Sequence, residues 1–317
     1  MNEEDLKILY IVIPCYNEEE VLPITTEELT KKMNGLLGVK ISRESRVLYV
    51  DNGSEDRTWE IIKQIHEDNE LFSCIKVTKN QGYQNGVLAG LMTAKKYADM
   101  TITMDADLQD DVNVIDSMVD EYYEGSEIVY GVRGSRKKDT FFKRFTAESY
   151  YKFLAMMGVE IVFNHGDCRL MSKKALDALE EYSEVNLFLR GIVPQLGFKT
   201  SSVYYERHER AAGESKYPVR ELIRFAAEGI TSFSVKPLKI ITSIGFLISI
   251  FSFVVLVYAL IIKILGNVVE GWTFIIVSIW LVAGIQMLSL GIIGEYIGKI
   301  YQETKRRPRY IIEKELL

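Results

Sequence analysis

The sequence lacks several signatures of common protein classes. Of its 317 residues only three are cysteines, Cys15, Cys74 and Cys168, and their spacing is not that of a zinc site. So few cysteines fit a reducing compartment. No G-x-G-x-x-G and no G-x-x-x-x-G-K pattern occurs, so the sequence gives little support to a dinucleotide site or a P-loop. The net charge of -6 and the absence of interleaved basic and aromatic patches argue against a nucleic-acid partner.

Charge is also missing from two long segments near the C-terminal end, residues 240–262 and 272–293. At about 1.5 Å of rise per residue, each is long enough for a helix to cross the roughly 30 Å hydrocarbon core of a bilayer. Lysine and arginine flank the pair on both outer sides, and the loop between them carries little charge. The positive-inside rule therefore predicts a multi-pass protein of the plasma membrane with its catalytic part and both termini in the cytoplasm.

The first third of the chain alternates between apolar runs and amphipathic segments. The runs 8–13, 47–50, 75–77 and 100–104 read as strands, and the segments 18–33, 58–67 and 86–96 read as helices. Nearly continuous apolar strands separated by amphipathic helices predict an α/β fold with a mainly parallel sheet covered by helices on both faces.

Four parts are expected along the chain. Residues 1–217 form a cytosolic catalytic domain, and 236–301 hold the two transmembrane helices. Between them, residues 218–235 have apolar side chains at helical spacing, which indicates an amphipathic helix lying on the membrane. An ordinary helix packed on a core is the alternative for this segment. Residues 302–317 read as a basic cytoplasmic tail.

The most informative motif is Asp105-Ala106-Asp107-Leu108-Gln109, which follows the fourth apolar run. Residues two apart on an extended chain point the same way, so the oxygens of Asp105, Asp107 and Gln109 are expected to converge. Two carboxylates and an amide oxygen suit Mg²⁺ or Mn²⁺, whose other ligands come from water and phosphate. The alternative is a solvated acidic loop, since two further aspartates follow.

Several motifs occur together in a recognisable order: I-P-C-Y-N-E from residue 13, D-N-G-S from 51, N-Q-G from 80, D-A-D-L-Q from 105, D-C-R-L from 167 and G-E-S-K-Y from 213. In this the chain resembles glycosyltransferase family 2, whose fold is called GT-A. More narrowly, it resembles the bacterial polyprenyl-phosphate glycosyltransferases of the bactoprenol glucosyltransferase type, which are related to dolichol-phosphate mannose synthase.

The resemblance implies a set of catalytic residues and a set of residues that bind a UDP-sugar donor. The catalytic residues would be Asp105, Asp107 and Asp167, with Asp167 acting as base or orienting acid. The nucleotide-sugar site would comprise Pro14, Tyr16, Asn17, Glu18, Asp51, Asn52, Asn80, Gly82, Asp105, Ala106 and Lys216. This chain departs from the family pattern in four places, Asn52, Tyr83, Gly86 and Cys168. An amide at Asn52 still accepts a hydrogen bond from a nucleobase.

A lipid phosphate acceptor requires cations that bring it beside the anionic donor. Arginine provides a planar fork for phosphate oxygens. The candidates are Arg133, Arg136, Arg169, Arg207 and Arg210, and the resemblance favours this role for the first three. A solvated loop is the alternative for the basic run after residue 132. The segment 213–217 would be a flap over the donor.

The function implied is transfer of a hexose from a UDP-sugar to undecaprenyl phosphate, metal-dependent and inverting, which would give a lipid-linked sugar for cell-envelope glycosylation. Glucose is favoured over N-acetylglucosamine. The alternatives are a processive polysaccharide synthase, for which no Q-x-x-R-W motif is present, and an inert nucleotide-sugar-binding scaffold. Small residues along the second apolar segment predict a homo-oligomer, specifically a tetramer.

Overall fold

The computed structural model describes residues 5–134, 156, 165–185, 187–206, 234–265 and 271–317. Its contacts divide the chain into two units. One comprises Met1–Tyr151, Glu160–Pro218 and Arg307–Leu317, and the other comprises Lys152–Val159 and Val219–Arg306. The first unit holds a sheet and its helices, and the second holds two long apolar helices.

The sheet of the first unit has eight strands. Along the chain they are β1 (Leu9–Cys15), β2 (Arg46–Asp51), β3 (Phe72–Val77), β4 (Met100–Thr103), β5 (Ile128–Arg133), β6 (His165–Ser172), β7 (Thr200–Tyr205) and β8 (Ile312–Leu316). Their order across the sheet is β7-β5-β6-β4-β1-β2-β3-β8. The strands β4, β1, β2 and β3 are parallel, whereas β6 and β8 run antiparallel to their neighbours. The predicted α/β class with a mainly parallel sheet is confirmed.

Six helices accompany these strands in the described part of the first unit. They are α1 (Leu22–Leu36), α2 (Thr58–Asp68), α3 (Tyr83–Ala94), α4 (Val114–Tyr123), α5 (Lys173–Glu180) and α6 (Leu189–Gln195). Every residue of β1 and β4 is buried, which means that helices cover both faces of the sheet centre. A side-chain carbon added at Gly90 of α3 would lie 2.3 Å from Val12 and 2.7 Å from Val50, so this glycine lets the helix pack closely on β1 and β2.

The parallel pairing brings the ends of several strands to one edge. Cys15 of β1 pairs with Asp51 of β2, and Val12 pairs with Thr103 of β4. The loops that follow these strands therefore emerge side by side. In open α/β sheets this carboxyl edge is where ligands bind.

The last residues of the chain form an ordered strand rather than only a tail. Residues 312–316 form β8, which pairs antiparallel with β3 at the edge of the sheet. The Thr78 N–H donates to the Ile311 carbonyl over 3.0 Å, and Arg309 donates to the Tyr182 carbonyl over 2.6 Å. The interpretation of 302–317 as a basic cytoplasmic tail did not include this strand, in which backbone pairing orders even the charged run I-E-K-E-L.

The second unit contains α7 (Lys236–Ile264) and α8 (Trp272–Thr304). Both helices are long and apolar enough to cross a membrane, with mean hydropathy of 2.2 over Lys236–Val255 and 1.5 over Leu281–Thr304. Large apolar side chains such as Phe246, Phe251 and Leu288 are about two-thirds exposed. Water would not stabilise such a surface, whereas lipid would. The two predicted apolar helices are thus confirmed, and their passage through a bilayer stays a prediction.

Candidate active site

The loop after β1 is tied to the loop after β2 by backbone and side-chain hydrogen bonds. Asn17 adopts a left-handed backbone conformation with φ of 53°, and its N–H donates to Ser54 Oγ over 3.0 Å. Its side-chain oxygen accepts from the Glu55 N–H over 2.9 Å. The predicted donor residues of this loop, Pro14, Tyr16, Asn17 and Glu18, therefore lie next to the D-N-G-S turn.

The end of β2 carries two buried acceptors. Asp51 Oδ1 accepts from the Ser54 N–H over 3.0 Å, whereas Asp51 Oδ2 and Asn52 Oδ1 are buried with no hydrogen-bond partner among the described residues. Burial raises the pKa of Asp51. Buried acceptors without partners are uncommon and call for a donor from elsewhere. A ligand with N–H groups, such as a nucleobase, has the matching chemistry.

The side chain of Asn52 joins the second and third loops. Its Nδ2 donates to the Gly82 carbonyl over 3.1 Å and to Asn80 Oδ1 over 3.3 Å, and Asn80 Oδ1 also accepts from the Gly82 N–H over 2.8 Å. A side-chain carbon at Gly86 would lie 3.0 Å from Asn52 Cγ. Asn52 and Gly86, two of the positions at which this chain departs from the family pattern, therefore lie in contact. Gly86, which has no side chain, leaves room for the amide of Asn52.

The aspartate motif after β4 does not continue the strand. β4 ends at Thr103, the chain turns through residues 106–108, and Leu108 has a left-handed φ of 55°. Asp105, Asp107 and Gln109 therefore do not lie on an extended chain, which was the geometric reason for expecting their oxygens to converge. Instead, the Gln109 N–H donates to Asp107 Oδ1 over 3.1 Å, which closes a tight turn. The assignment of the three residues as metal ligands stays a prediction.

Asp105 lies in a strongly electronegative environment. Tyr83 Oη, at the start of α3, donates to Asp105 Oδ1 over 2.7 Å. Burial first, and then the neighbouring carboxylates of Asp167 and Asp110, raise the pKa of Asp105 well above its usual range. Because the carboxyl of Asp105 is buried beside other carboxylates, a divalent cation bound there would stabilise its charged form.

The oxygen ligands available at this turn fit Mg²⁺ or Mn²⁺. Within the described ranges, no group of three or more His, Cys, Asp or Glu is arranged to hold a metal. Mg²⁺ commonly binds through one or two carboxylates and takes its remaining ligands from substrate phosphates and water. Asp105 and Asp107 are the residues that would supply such carboxylates here, and Ala106, whose carbonyl accepts from Thr25 Oγ1 over 2.6 Å, anchors the turn between them.

Asp167 has an arginine partner that lies outside the sequence motifs. Arg190 of α6 donates through Nε to Asp167 Oδ1 over 3.0 Å and through Nη2 to Asp167 Oδ2 over 2.6 Å. Register places Thr103 of β4 opposite Arg169 of β6, so Asp167 lies beside the turn that carries Asp105. The signal for Arg190 in the sequence is slight, a single cation in the apolar run L-F-L-R-G-I-V.

Two of the predicted phosphate-binding arginines lie in described segments. Arg169 is only 2% exposed; its Nη1 donates to the Leu189 carbonyl over 3.3 Å, and Nη2 lies 3.5 Å from Asp167 Oδ1. Arg133, the last residue of β5, has a side chain that is 27% exposed and lies 3.4 Å from Asp110 Oδ1. Of the two, Arg133 is the arginine with surface available to a ligand.

Four predicted site residues lie outside the described part of the chain: Arg136, Arg207, Arg210 and Lys216. The same holds for the segment 213–217 and for nearly all of the predicted interfacial helix 218–235. For these residues the sequence-based assignments stay predictions.

A GT-A type sheet with acidic residues gathered at its carboxyl edge defines a class of nucleotide-sugar-dependent transferases. The family model described as "Glycosyl transferase family 2" matches residues 10–180, which span the sheet from β1 to α5. The chain belongs to glycosyltransferase family 2.

Relatives match over almost the full length. An uncharacterized glycosyltransferase of Bacillus subtilis, YkoT, is 49% identical over 98% of this chain and 92% of its own. A prophage bactoprenol glucosyl transferase homolog of Escherichia coli is 38% identical over 96% of this chain and 98% of its own. The bactoprenol glucosyl transferase of Shigella phage SfV is 36% identical over 96% and 98%, respectively.

Solved structures align more loosely. A glucosyl-3-phosphoglycerate synthase from Mycobacterium tuberculosis, in complex with Mn²⁺, UDP-glucose and phosphoglyceric acid, is 13% identical and covers 73% of this chain and 80% of its own, with a TM-score of 0.48.

Proposed function

We propose that this glycosyltransferase transfers a hexose from a UDP-sugar to a polyprenyl phosphate, undecaprenyl phosphate, with inversion at the sugar's anomeric carbon. Glucose is the proposed sugar, and N-acetylglucosamine is the second candidate. The product would be a lipid-linked sugar used for glycosylation of the cell envelope. The observation that carries the proposal is the group of carboxylates around Asp105 at the carboxyl edge of the sheet, with arginines beside it.

The relatives support the acceptor and the sugar. Two of them are named bactoprenol glucosyl transferases or their homologs, and their similarity extends through the two apolar helices as well as the catalytic sheet. The similarity in α7 and α8 is relevant because an enzyme that uses a lipid acceptor must bind it at a membrane. A soluble acceptor would not require these helices.

The chemistry is a single displacement. An oxygen of the lipid phosphate attacks the anomeric carbon, the bond from that carbon to the diphosphate oxygen breaks, and UDP leaves with the bonding electrons. When bound, a divalent cation neutralises the charge that accumulates on the departing diphosphate. Asp105 and Asp107 are the proposed ligand residues, with Gln109 as a further oxygen donor at the same turn.

Asp167 is proposed to orient rather than to remove a proton. A phosphate monoester is already anionic near neutral pH, so the nucleophile needs no strong base. Both oxygens of Asp167 face Arg190, and one also faces Arg169. A carboxylate held in this way is suited to fixing the position of arginine forks beside the reacting phosphates.

The donor site is proposed to comprise the loops after β1, β2 and β3 together with the turn after β4. Asp51 and Asn52 have buried acceptor oxygens for a nucleobase. The cations proposed to contact the lipid phosphate are Arg133, Arg136, Arg207 and Arg210, whereas the buried Arg169 would add positive charge to the site. Arg190 joins this set, since its side chain is 32% exposed while it holds Asp167.

The proposed setting is the cytoplasmic face of the bacterial plasma membrane. The two apolar helices would cross the bilayer, and lysine and arginine at their outer ends would keep the catalytic unit and both termini in the cytoplasm.

A donor panel tests the proposal. Purified full-length protein in detergent is incubated with polyprenyl phosphate and, separately, with UDP-glucose, UDP-N-acetylglucosamine, UDP-galactose and GDP-mannose, with Mg²⁺ or Mn²⁺ or with excess chelator. We expect UDP-glucose to give the highest release of UDP, only in the presence of both lipid phosphate and metal. Equal turnover in chelator would contradict the metal assignment, and a preference for GDP-mannose would contradict the donor class.

A further inference from the structure

A buried carboxylate joins the metal-site turn to the end of β5. Asp110 follows Gln109 directly, and its side chain is only 1% exposed. Asp110 Oδ1 accepts from Tyr205 Oη over 2.6 Å and lies 3.4 Å from Arg133 Nη2. Arg133 and Tyr205 are the last residues of β5 and β7 and are paired in register. One oxygen of Asp110 is therefore shared by two side chains on neighbouring strands.

The surroundings hold this group in place. The Gly134 N–H donates to the Tyr205 carbonyl over 2.7 Å, which keeps the two strands paired up to their ends. A side-chain carbon at Gly131 would lie 3.0 Å from the ring of Tyr205. One at Gly166 would lie 3.2 Å from Tyr205 Oη and 3.3 Å from Arg133 Nη2. A side chain at either glycine would press on the phenol ring or the guanidinium, so these two glycines leave the space that the two groups occupy.

The guanidinium of Arg133 is only partly used by these contacts. Its Nε is buried and has no hydrogen-bond partner among the described residues, yet the side chain keeps 27% of its surface exposed. An arginine fork recognises phosphate through two parallel N–H groups, which requires a fixed plane. A free arginine would lose considerable side-chain entropy on adopting that plane. The Asp110–Tyr205 pair removes much of this freedom in advance.

We propose that Asp110 and Tyr205 are positioning residues that hold the Arg133 guanidinium ready for the anionic acceptor. The inference rests on the proposed function, in which Arg133 binds the lipid phosphate. It assigns a role to the aspartate directly after the D-A-D-L-Q motif, through which the turn that carries Asp105 and Asp107 is coupled to the acceptor side of the site.

The test compares substitutions that remove one atom or one charge at a time. Tyr205→Phe removes only the hydroxyl, and Asp110→Asn removes the charge at constant shape. For each, the KM for polyprenyl phosphate and the KM for the UDP-sugar are measured on the full-length protein. We expect Tyr205→Phe to raise the lipid-phosphate KM by roughly 3- to 10-fold, the range for a lost hydrogen bond, and to change the donor KM by less than about 2-fold.

A double-substitution cycle separates positioning from general damage to the fold. In an Arg133→Gln background, Tyr205→Phe should have no further effect on the lipid-phosphate KM, because the residue it positions is gone. Tyr123→Phe is the matched control, since that hydroxyl is also bonded, accepting from the Lys7 N–H and donating to the Lys40 carbonyl. A binding measurement without turnover, the shift in thermal unfolding on adding polyprenyl phosphate, should shrink in Tyr205→Phe and not in Tyr123→Phe.

The outcomes are distinct. If the wild-type protein turns over polyprenyl phosphate and Tyr205→Phe changes both KM values equally, or its effect adds fully to that of Arg133→Gln, the positioning role is overturned and the proposed function stands. If the wild-type protein accepts no lipid phosphate at all, the proposed function falls and this inference falls with it. Should Asp110→Asn fail to fold, Tyr205→Phe alone decides.

Discussion

The guanidinium of Arg190 and the carboxylate of Asp167 face each other fork to fork, with Nε–Oδ1 at 3.0 Å and Nη2–Oδ2 at 2.6 Å. Paired, parallel hydrogen bonds of this kind fix both side chains in one plane. Asp167 is 14% exposed and Arg190 is 32% exposed, so the pair lies at the wall of the site rather than in the core. This arrangement favours an orienting role for Asp167 over proton transfer.

The first prediction follows from that pair. We expect Asp167→Asn and Arg190→Gln to lower kcat/KM by similar factors, roughly 10- to 100-fold, because each breaks the same pair of parallel, charge-assisted hydrogen bonds. The kcat/KM of the double variant should be no lower than that of the less active single variant, because the effects of residues that act as a unit do not add. Arg190→Lys keeps the charge without the fork and should recover only part of the activity.

Arg43→Gln serves as the control for this set, because Arg43 is an exposed arginine in the turn before β2. A much larger loss in Asp167→Asn than in Arg190→Gln, together with a changed pH dependence of kcat, would instead identify Asp167 as a base.

The second prediction concerns the turn after β4. Asp107→Ala should lower kcat/KM by at least about 100-fold, since the loss of a metal ligand removes several kcal/mol of charge stabilisation. The midpoint of thermal unfolding should stay within a few degrees of the wild type. Asp120→Ala, at an exposed aspartate that pairs with Lys40, is the control and should retain activity. Wild-type turnover by Asp107→Ala would contradict the metal assignment.

Much of this site could be predicted from the sequence because its residues lie directly after apolar strands. Asp51 ends β2, and Asp105 follows β4, so the pattern of apolar runs places both at one edge of the sheet. What the pattern does not contain is the local turn. The left-handed conformation of Leu108, which breaks the expected alternation, is not the usual preference of leucine and is imposed by the surrounding fold.

Partners that come from distant segments could not be predicted in the same way. Arg190 meets Asp167 because the first residues of α6 lie beside β6, whose Arg169 also donates to the Leu189 carbonyl. Tyr205 meets Asp110 because β7 is paired with β5. Neither contact leaves a spacing in the sequence. The strand β8 was missed for another reason. Its run I-E-K-E-L is mostly charged and exposed, and its pairing depends on backbone hydrogen bonds to β3 rather than on side-chain pattern.

The third prediction tests that strand. Deletion of residues 311–317 removes the backbone pairing with β3 and the packing of Leu316 on the core. We expect these losses to lower the free energy of unfolding by about 2–3 kcal/mol. For a domain of this size, the midpoint of thermal unfolding should then fall by roughly 4–12 °C. An exposed sheet edge also promotes aggregation.

Glu313→Ala is the control for the deletion, since it changes an exposed side chain of β8 and leaves the backbone pairing intact. An unchanged unfolding midpoint after the deletion would show that β8 contributes nothing to the catalytic unit.

The fourth prediction is that the protein forms a homotetramer. On α8, a side-chain carbon added at Gly284, Gly291, Gly294 or Gly298 would meet no atom of the described chain within 4 Å. Small residues at such spacing allow close helix association in membranes. Mass measurement in nanodiscs should give four copies, and Gly291→Ile should reduce that population, whereas Leu290→Ile on the same helix should not. A wild-type protein that is monomeric at working concentration would refute this prediction.

The central claim is that the enzyme joins one hexose to a polyprenyl phosphate. Mass spectrometry of the lipid fraction tests this most directly, after incubation of purified wild-type protein with UDP-glucose, undecaprenyl phosphate and Mg²⁺. We predict a single new lipid, heavier than the acceptor by one hexose residue, together with one UDP per lipid formed. A ladder of products carrying many sugars would indicate a processive synthase, and UDP-sugar binding without any new lipid or released UDP would indicate an inert binder. Either result would contradict the account.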